Sequence, residues 1–144
     1  MARLRRGVGG SLVLDAEGLV KLSHGHPTAR SLAYDVHERG GEVVTAASTL
    51  AEILRGGPRD ASMHRALSRV TVLPIGKHEG RQAGELLGRT GLSGHRSALD
   101  ALLAVVALAQ PRPVVVLTSD KPDLARLTEE PGRPKRQRVE VIRI

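Results

Sequence analysis

The sequence predicts a three-layer α/β/α sandwich on a mainly parallel central sheet. Short apolar runs alternate with segments of helical period along the whole chain, the order expected of βα units. The runs Ser11–Leu14 and Val114–Leu117 are almost continuously apolar, as strands covered on both faces are. At 144 residues, 40% of them hydrophobic, the chain is long enough to bury one core without a staple, and it has no Cys to form one.

Met1 to Gly10 is basic and then glycine-rich, and is expected to be a flexible arm; residues 11–144 are expected to form a single domain. Ser11–Leu14 is the first strand. Glu17–Ser23 is a short helix closed by Gly25 and Pro27, and Thr28–Arg39 is a helix with Leu32 and Val36 on one side, stopped by Gly40. Glu42–Ala46 is the second strand. Thr49–Arg55 carries Leu50, Ile53 and Leu54 on one helical face, and Arg59–Arg69 is amphipathic with Ala61, Met63 and Leu67 inward. Val70–Ile75 is a weaker third strand. His78–Arg89 buries Ala83, Leu86 and Leu87, and Gly91–Gly94 reads as a hinge. Ser97–Ala109 is the most apolar helix. Pro111 and Pro113 follow it, then the strand Val114–Leu117, then a helix through Leu127 with Pro122 in its first turn, where the missing N–H costs nothing. Glu129–Gln137 is a polar loop, and Val139–Ile144 alternates apolar and polar residues as an edge strand does.

Composition excludes several functions. Tyr34 is the only aromatic residue, so the chain cannot build the stacking platform of single-strand binders. A net charge of +7 fits phosphate contacts through arginine, or plain solubility. Without Cys there is no thiol nucleophile and no thiolate zinc site. The longest apolar run, Ala101–Ala109, is far short of the roughly 20 residues a bilayer span needs, and Asp15 interrupts the segment after the basic start. A soluble, cytoplasmic protein is expected. Gly7-Val-Gly-Gly10 precedes its strand, so it is no dinucleotide fingerprint, and Gly84, Gly88, Gly91 and Gly94 lack the ending of a phosphate loop. His24 and His26 read as surface.

Four acids stand where such sheets place ligands, beyond the carboxyl ends of the strands. Asp15 closes the first strand and Asp120 follows the fourth; singly, each also reads as a helix cap. Glu52 lies among Leu50, Ile53 and Leu54, where pairing with Arg55 is the plain alternative. Asp100 interrupts the most apolar helix, where a favourable interaction with the helix dipole is the alternative. A buried carboxylate is costly unless paired or coordinating metal. Four converging carboxylates call for a divalent cation, and an all-oxygen set suits Mg²⁺ or Mn²⁺, the cations of phosphoryl chemistry.

Four segments carry a family resemblance. Leu12-Val-Leu-Asp-Ala-Glu-Gly-Leu-Val-Lys-Leu22, Ser48-Thr-Leu-Ala-Glu-Ile-Leu-Arg-Gly56, Ser97-Ala-Leu-Asp-Ala-Leu-Leu-Ala104 and Val115-Val-Leu-Thr-Ser-Asp-Lys-Pro-Asp-Leu124 resemble, in order, the motifs of PIN-domain proteins, most closely VapC-type toxins of toxin–antitoxin pairs. The resemblance implies a PIN-like fold and an Mg²⁺- or Mn²⁺-dependent endoribonuclease, with Asp15, Glu52, Asp100 and Asp120 as catalytic, metal-binding acids. It also implies supporting roles for Thr118, Ser119 and Asp123, a homodimer, and neutralisation by an antitoxin. Ala16-Glu17 departs from the family pattern, removing a hydroxyl and adding Glu17 as a fifth candidate carboxylate. Arg96 and Arg89, with the Arg133–Arg138 loop, are the candidate RNA-phosphate contacts. Two other readings stand beside this one. A receiver-like signalling domain has the same class, but the third strand ends Val72-Leu-Pro-Ile-Gly76 with no Asp to phosphorylate. A catalytically inactive RNA- or protein-binding domain explains the charge but not Asp100.

Overall fold

The computed structural model describes residues 9–144. Five strands, β1 (Ser11–Leu14), β2 (Glu42–Ala46), β3 (Thr71–Leu73), β4 (Val114–Thr118) and β5 (Glu140–Arg143), form one sheet in the order β3-β2-β1-β4-β5. Every neighbouring pair is parallel. Seven α-helices connect them: α1 (Ala16–Ser23), α2 (Pro27–Glu38), α3 (Leu50–Ile53), α4 (Ala61–Leu67), α5 (Lys77–Thr90), α6 (Gly94–Leu108) and α7 (Lys121–Leu127). The expected three-layer arrangement is what the chain adopts.

Strand alternation assigns each helix its layer. Leu12, Leu14 and Val43 face Leu19, Ala29, Ala33, Val36 and Met63 of α1, α2 and α4. Val13, Val44 and Val116 face Ala83 and Leu86 of α5, the run Leu103–Ala107 of α6, and Leu124 and Leu127 of α7. The chain grows outward from β1 to β2 and β3, then returns to the other side of β1 as β4. That reversal opens a crevice beyond the carboxyl ends of β1 and β4, the switch point at which such sheets bind ligands.

Local chemistry sets several boundaries differently from the sequence pattern. Gly10 takes φ 85°, and a Cβ there would lie 2.5 Å from the Pro113 carbonyl oxygen. The last residue of the expected arm is therefore packed against the start of β4; Met1–Val8 lie outside the described residues. The helix expected over Thr49–Arg55 is a 3-10 turn, Ala47–Thr49, followed by the single turn of α3. Asp60 explains the early end: one carboxylate oxygen accepts the Arg55 and Gly56 N–H groups at 2.9 and 2.8 Å, folding the chain away. The same turn delays α4 to Ala61, which is exposed rather than inward. Gly91 ends α5 at φ 72° and Gly94 already opens α6, so the expected hinge is a tight interhelical turn. The polar loop after α7 is held by Arg112, whose Nη1 lies 2.7 Å from Glu130 Oε1. Arg133 pairs with Glu130 and Arg138 donates to the Arg133 and Pro131 carbonyls, so these two arginines build the loop itself.

Asp60 generates a pH-dependent stability prediction. Its two backbone donors hold its carboxyl below the usual carboxylate range. A depressed native pKa stabilises the fold above the unfolded-state value and loses that contribution as pH falls through the native value. Asp60→Ala is expected to lower Tm at pH 7, and the difference from wild type is expected to shrink below about pH 4 in thermal melts.

Candidate metal centre

Strand register brings the first and fourth acidic segments together. Leu14 pairs with Leu117, which sets Asp15 beside Thr118. Asp15 caps α1 from an extended conformation, its Oδ1 accepting the Gly18 N–H at 2.7 Å. Gly18 is needed there because a Cβ would lie 2.9 Å from the Leu117 carbonyl oxygen, so α1 begins pressed against β4. Thr118, fully buried, donates its hydroxyl to Asp15 and accepts the Asp120 N–H at 2.9 Å. The Ser119 N–H also points to Asp15, while the Ser119 side chain is exposed. One threonine thus orients both acids flanking the crevice.

Asp100 enters from α6, two turns into the helix that packs on β2 and β4. Its carboxylate, that of Asp120 and that of Asp123 each place an oxygen within 4.8 Å of the others. This is the one such acidic trio among the described residues. Asp123 comes into it because α7 starts at Lys121, directly after its cap Asp120, with Pro122 in the first turn, leaving the two aspartates three residues apart at the helix start. Asp15 stands beside the trio with its carboxylate engaged by Gly18 and Thr118, and Glu52 extends from the exposed turn of α3. The trio includes Asp123, which the family resemblance gave only a supporting role, while Asp15 lies near enough for its charge to act on Asp100.

The acids sense one another. Burial raises the Asp100 carboxyl to about 6, and the charges of Asp120, Asp15, Glu52 and Asp123 add to the shift. Burial also raises Asp15, against the lowering effect of its hydrogen bonds, with Glu17 adding repulsion from the exposed first turn of α1. Glu52 is raised by partial burial and by the charge of Asp15. Carboxylates that hold their protons more tightly because burial, and after it the charge of neighbouring acids, disfavours the anion are groups whose charge a cation would satisfy. All-oxygen donors of this kind fit a hard divalent ion such as Mg²⁺ or Mn²⁺.

The arginines divide. Arg96 is exposed on the first turn of α6, four residues before Asp100 and hence on the same side of the helix, with no ion pair among the described residues. Arg89 instead lines a surface cavity with Leu108, Arg126 and Glu129, none of which belongs to the acidic group. Asp123 was the least visible of the site residues in sequence; its signal is the Asp-x-Pro-Asp spacing across a helix start.

These features define a class: a parallel α/β protein whose switch-point crevice gathers carboxylates suited to a divalent cation. Residues 12–129 match the PIN domain family, and the chain belongs to it. Two solved structures share the fold. VapBC2 from Rickettsia felis bound to a promoter DNA fragment aligns with a TM-score of 0.63 at 16% identity, covering 92% of this chain and 98% of that one. A toxin–antitoxin complex from Klebsiella pneumoniae aligns with a TM-score of 0.60 at 18% identity, covering 91% and 95%. No curated protein matches the sequence.

The raised Asp100 carboxyl has a checkable consequence. A group with a raised native pKa binds more protons folded than unfolded between the two values, so it destabilises the fold above about pH 6 and is neutral below about pH 4. With EDTA present, Asp100→Asn is expected to raise stability by about 1 kcal/mol at pH 7.5, after allowing for solvent screening, and by little at pH 4. Urea titrations at the two pH values measure this. Mn²⁺ is expected to raise the Tm of wild type and not of the variant.

Proposed function

We propose that this PIN-domain protein is an Mg²⁺- or Mn²⁺-dependent endoribonuclease, the toxin of a toxin–antitoxin pair. The observation that carries the reading is the Asp100–Asp120–Asp123 trio flanked by Asp15 and Glu52 at the switch point. Asp100, Asp120 and Asp123 would hold the cation, with Asp15 and Glu52 completing its surroundings. A bound divalent ion supplies Lewis-acid activation of water and neutralises the charge that develops on a scissile phosphodiester.

The protein's own groups do the positioning. Thr118 holds Asp15 and the backbone of Asp120 in fixed relation, so the two carboxylates need no reorganisation when a substrate arrives. Arg96 sits on the same side of α6 as Asp100 and is free to bind an RNA phosphate and set its distance from the acids. Hydrolysis breaking the P–O3′ bond leaves a 5′-phosphate on one fragment and a 3′-hydroxyl on the other. The exposed Lys121 and Lys77, with the rest of the +7 net charge, favour approach of a polyanion despite the acidic crevice. A protein antitoxin, a homodimer and a cytoplasmic setting complete the reading. Support for the toxin assignment comes from the family match and from the toxin–antitoxin complexes that share the fold.

A receiver-like domain has no observation in its favour, since no aspartate follows β3. A catalytically inactive binding domain differs in its response to metal. Incubation of end-labelled RNA with purified protein is expected to give endonucleolytic fragments with Mg²⁺ or Mn²⁺ and none with EDTA. Asp15→Asn, Asp100→Asn and Asp120→Asn are expected to fall to the EDTA level while remaining folded by circular dichroism, Asn at position 15 still capping α1. Binding of RNA without cleavage under every metal condition would sink the enzyme reading. Arg96→Ala is expected to weaken RNA binding and lower the salt slope by about one, with cleavage at saturating RNA retained.

A further inference from the structure

Two buried side-chain polar atoms have no hydrogen-bond partner among the described residues, His26 Nδ1 and Ser48 Oγ. Ser48 stands in the 3-10 turn that follows β2, at the edge of the sheet where the acids gather, and this turn packs against α6. Other buried hydroxyls are engaged. Thr45 donates to the Leu14 carbonyl, Thr118 serves Asp15 and Asp120, and Thr128 donates to the Leu124 carbonyl. A buried hydroxyl without an acceptor carries a desolvation cost that native folds seldom leave uncompensated. The local backbone does not supply one. A helical serine bonds a carbonyl three or four residues back, but for Ser48 those residues are Val44 and Thr45, in the extended strand β2.

Glu52 has the complementary lack. Arg55, its expected ion-pair partner, donates instead to the Ala51, Leu54 and Glu52 backbone carbonyls. α3 buries no residue, and no donor among the described residues bonds the Glu52 carboxylate. Asp15, by contrast, is fixed by Gly18 and Thr118. The backbone between Ser48 and Glu52 is helical, with Thr49 at φ −64°, ψ −29° and Leu50 at φ −59°, ψ −32°. Four residues apart on a helical path, the two side chains share one face.

We infer that Ser48 is a positioning residue for Glu52: with a divalent cation in the centre, its hydroxyl donates to the Glu52 carboxylate and holds it toward the other acids. Without a cation, the charge of Asp15 opposes the approach of Glu52. A cation among the acids removes that repulsion, and Ser48 and Glu52 then gain their missing partners in one step, through a charge-assisted hydrogen bond. Ser48 acts through Glu52 and not on the substrate. The inference rests on the reading of the acids as a cation site, and not on RNA cleavage. A purely structural serine predicts the opposite sign for the metal-free protein, because removing a bonded hydroxyl destabilises a fold.

The test combines thermal melts in EDTA with Mn²⁺ titrations followed by electron paramagnetic resonance of the free ion. Ser48→Ala is expected to melt no lower than wild type in EDTA, since it loses an unbonded hydroxyl and gains a better helix former. Its Kd for Mn²⁺ is expected to rise by about tenfold. Its RNA cleavage, reduced at limiting Mn²⁺, is expected to return to the wild-type rate at saturating Mn²⁺. Glu52→Ala is expected to weaken Mn²⁺ binding by itself, and adding Ser48→Ala to it is expected to change nothing further. A lower melting temperature of Ser48→Ala in EDTA, an unchanged Kd, or a further tenfold weakening in the Glu52→Ala background would each overturn the proposal. Wild type that binds no Mn²⁺ would overturn the cation reading and this inference together, whereas Mn²⁺ binding without RNA cleavage would remove the nuclease reading alone.

Discussion

Like charges gathered in one partly buried crevice are the constraint around which this structure is arranged. Asp100 alone is disfavoured as an anion by its burial and by four neighbouring carboxylates. Nothing in the hydrophobic packing rewards that arrangement. The fold tolerates it because β1 and β4 are adjacent and in register, α6 is anchored by an almost continuously buried stretch, and α7 starts directly after β4. Each of these is a packing feature that would be stable with neutral residues at the acidic positions. The excess charge is therefore a cost laid on a sound scaffold, which is the usual signature of a functional site.

Thr118 is the point where scaffold and site meet. It belongs to β4, is fully buried, and has its carbonyl bonded to the Ile144 N–H, so its place is set by the sheet. Its hydroxyl then serves both Asp15 and the Asp120 backbone. Thr45, on β2 at the far side of β1, has an analogous role, donating at 2.7 Å to the Leu14 carbonyl and tying the end of β2 to the end of β1. Hydroxyls at the carboxyl edge therefore lock the strand ends whose following residues carry the acids.

The two helical layers have different characters. The layer of α5, α6 and α7 supplies Asp100, Asp120 and Asp123 or the packing that holds them. The layer of α1, α2 and α4 supplies the cap at Asp15 and otherwise presents an arginine-rich groove. Arg30, Arg65 and Arg69 thus lie on the other layer from Asp100, while Arg96 alone of the candidate phosphate contacts shares a side of α6 with it.

Much of this was legible in the residues themselves. β1 and β2 lie where their apolar runs end, because runs bounded by Asp15, Gly41 and Ala47 have only one way to sit between two helical layers. The layered parallel class follows from the same alternation. Asp15, Glu52, Asp100 and Asp120 stand out as acids in apolar settings, and burial energetics picks out such residues without coordinates. What periodicity could not supply was anything fixed by a single long-range polar bond. Asp60, five residues beyond Arg55, truncates the helix containing Glu52, and no repeat in the sequence marks it. The inclusion of Asp123 in the acidic trio depends on the angle at which α7 leaves β4, and the inward turn of Ala61 failed on one extra 3-10 turn. The arginines were least legible of all. Arg96, Arg89 and Arg133 look alike along the chain, yet tertiary structure sends one to the side of Asp100, one to a remote cavity and one into an ion pair with Glu130. A long flexible cation takes its role from whatever lies within reach, and reach is a property of the folded chain.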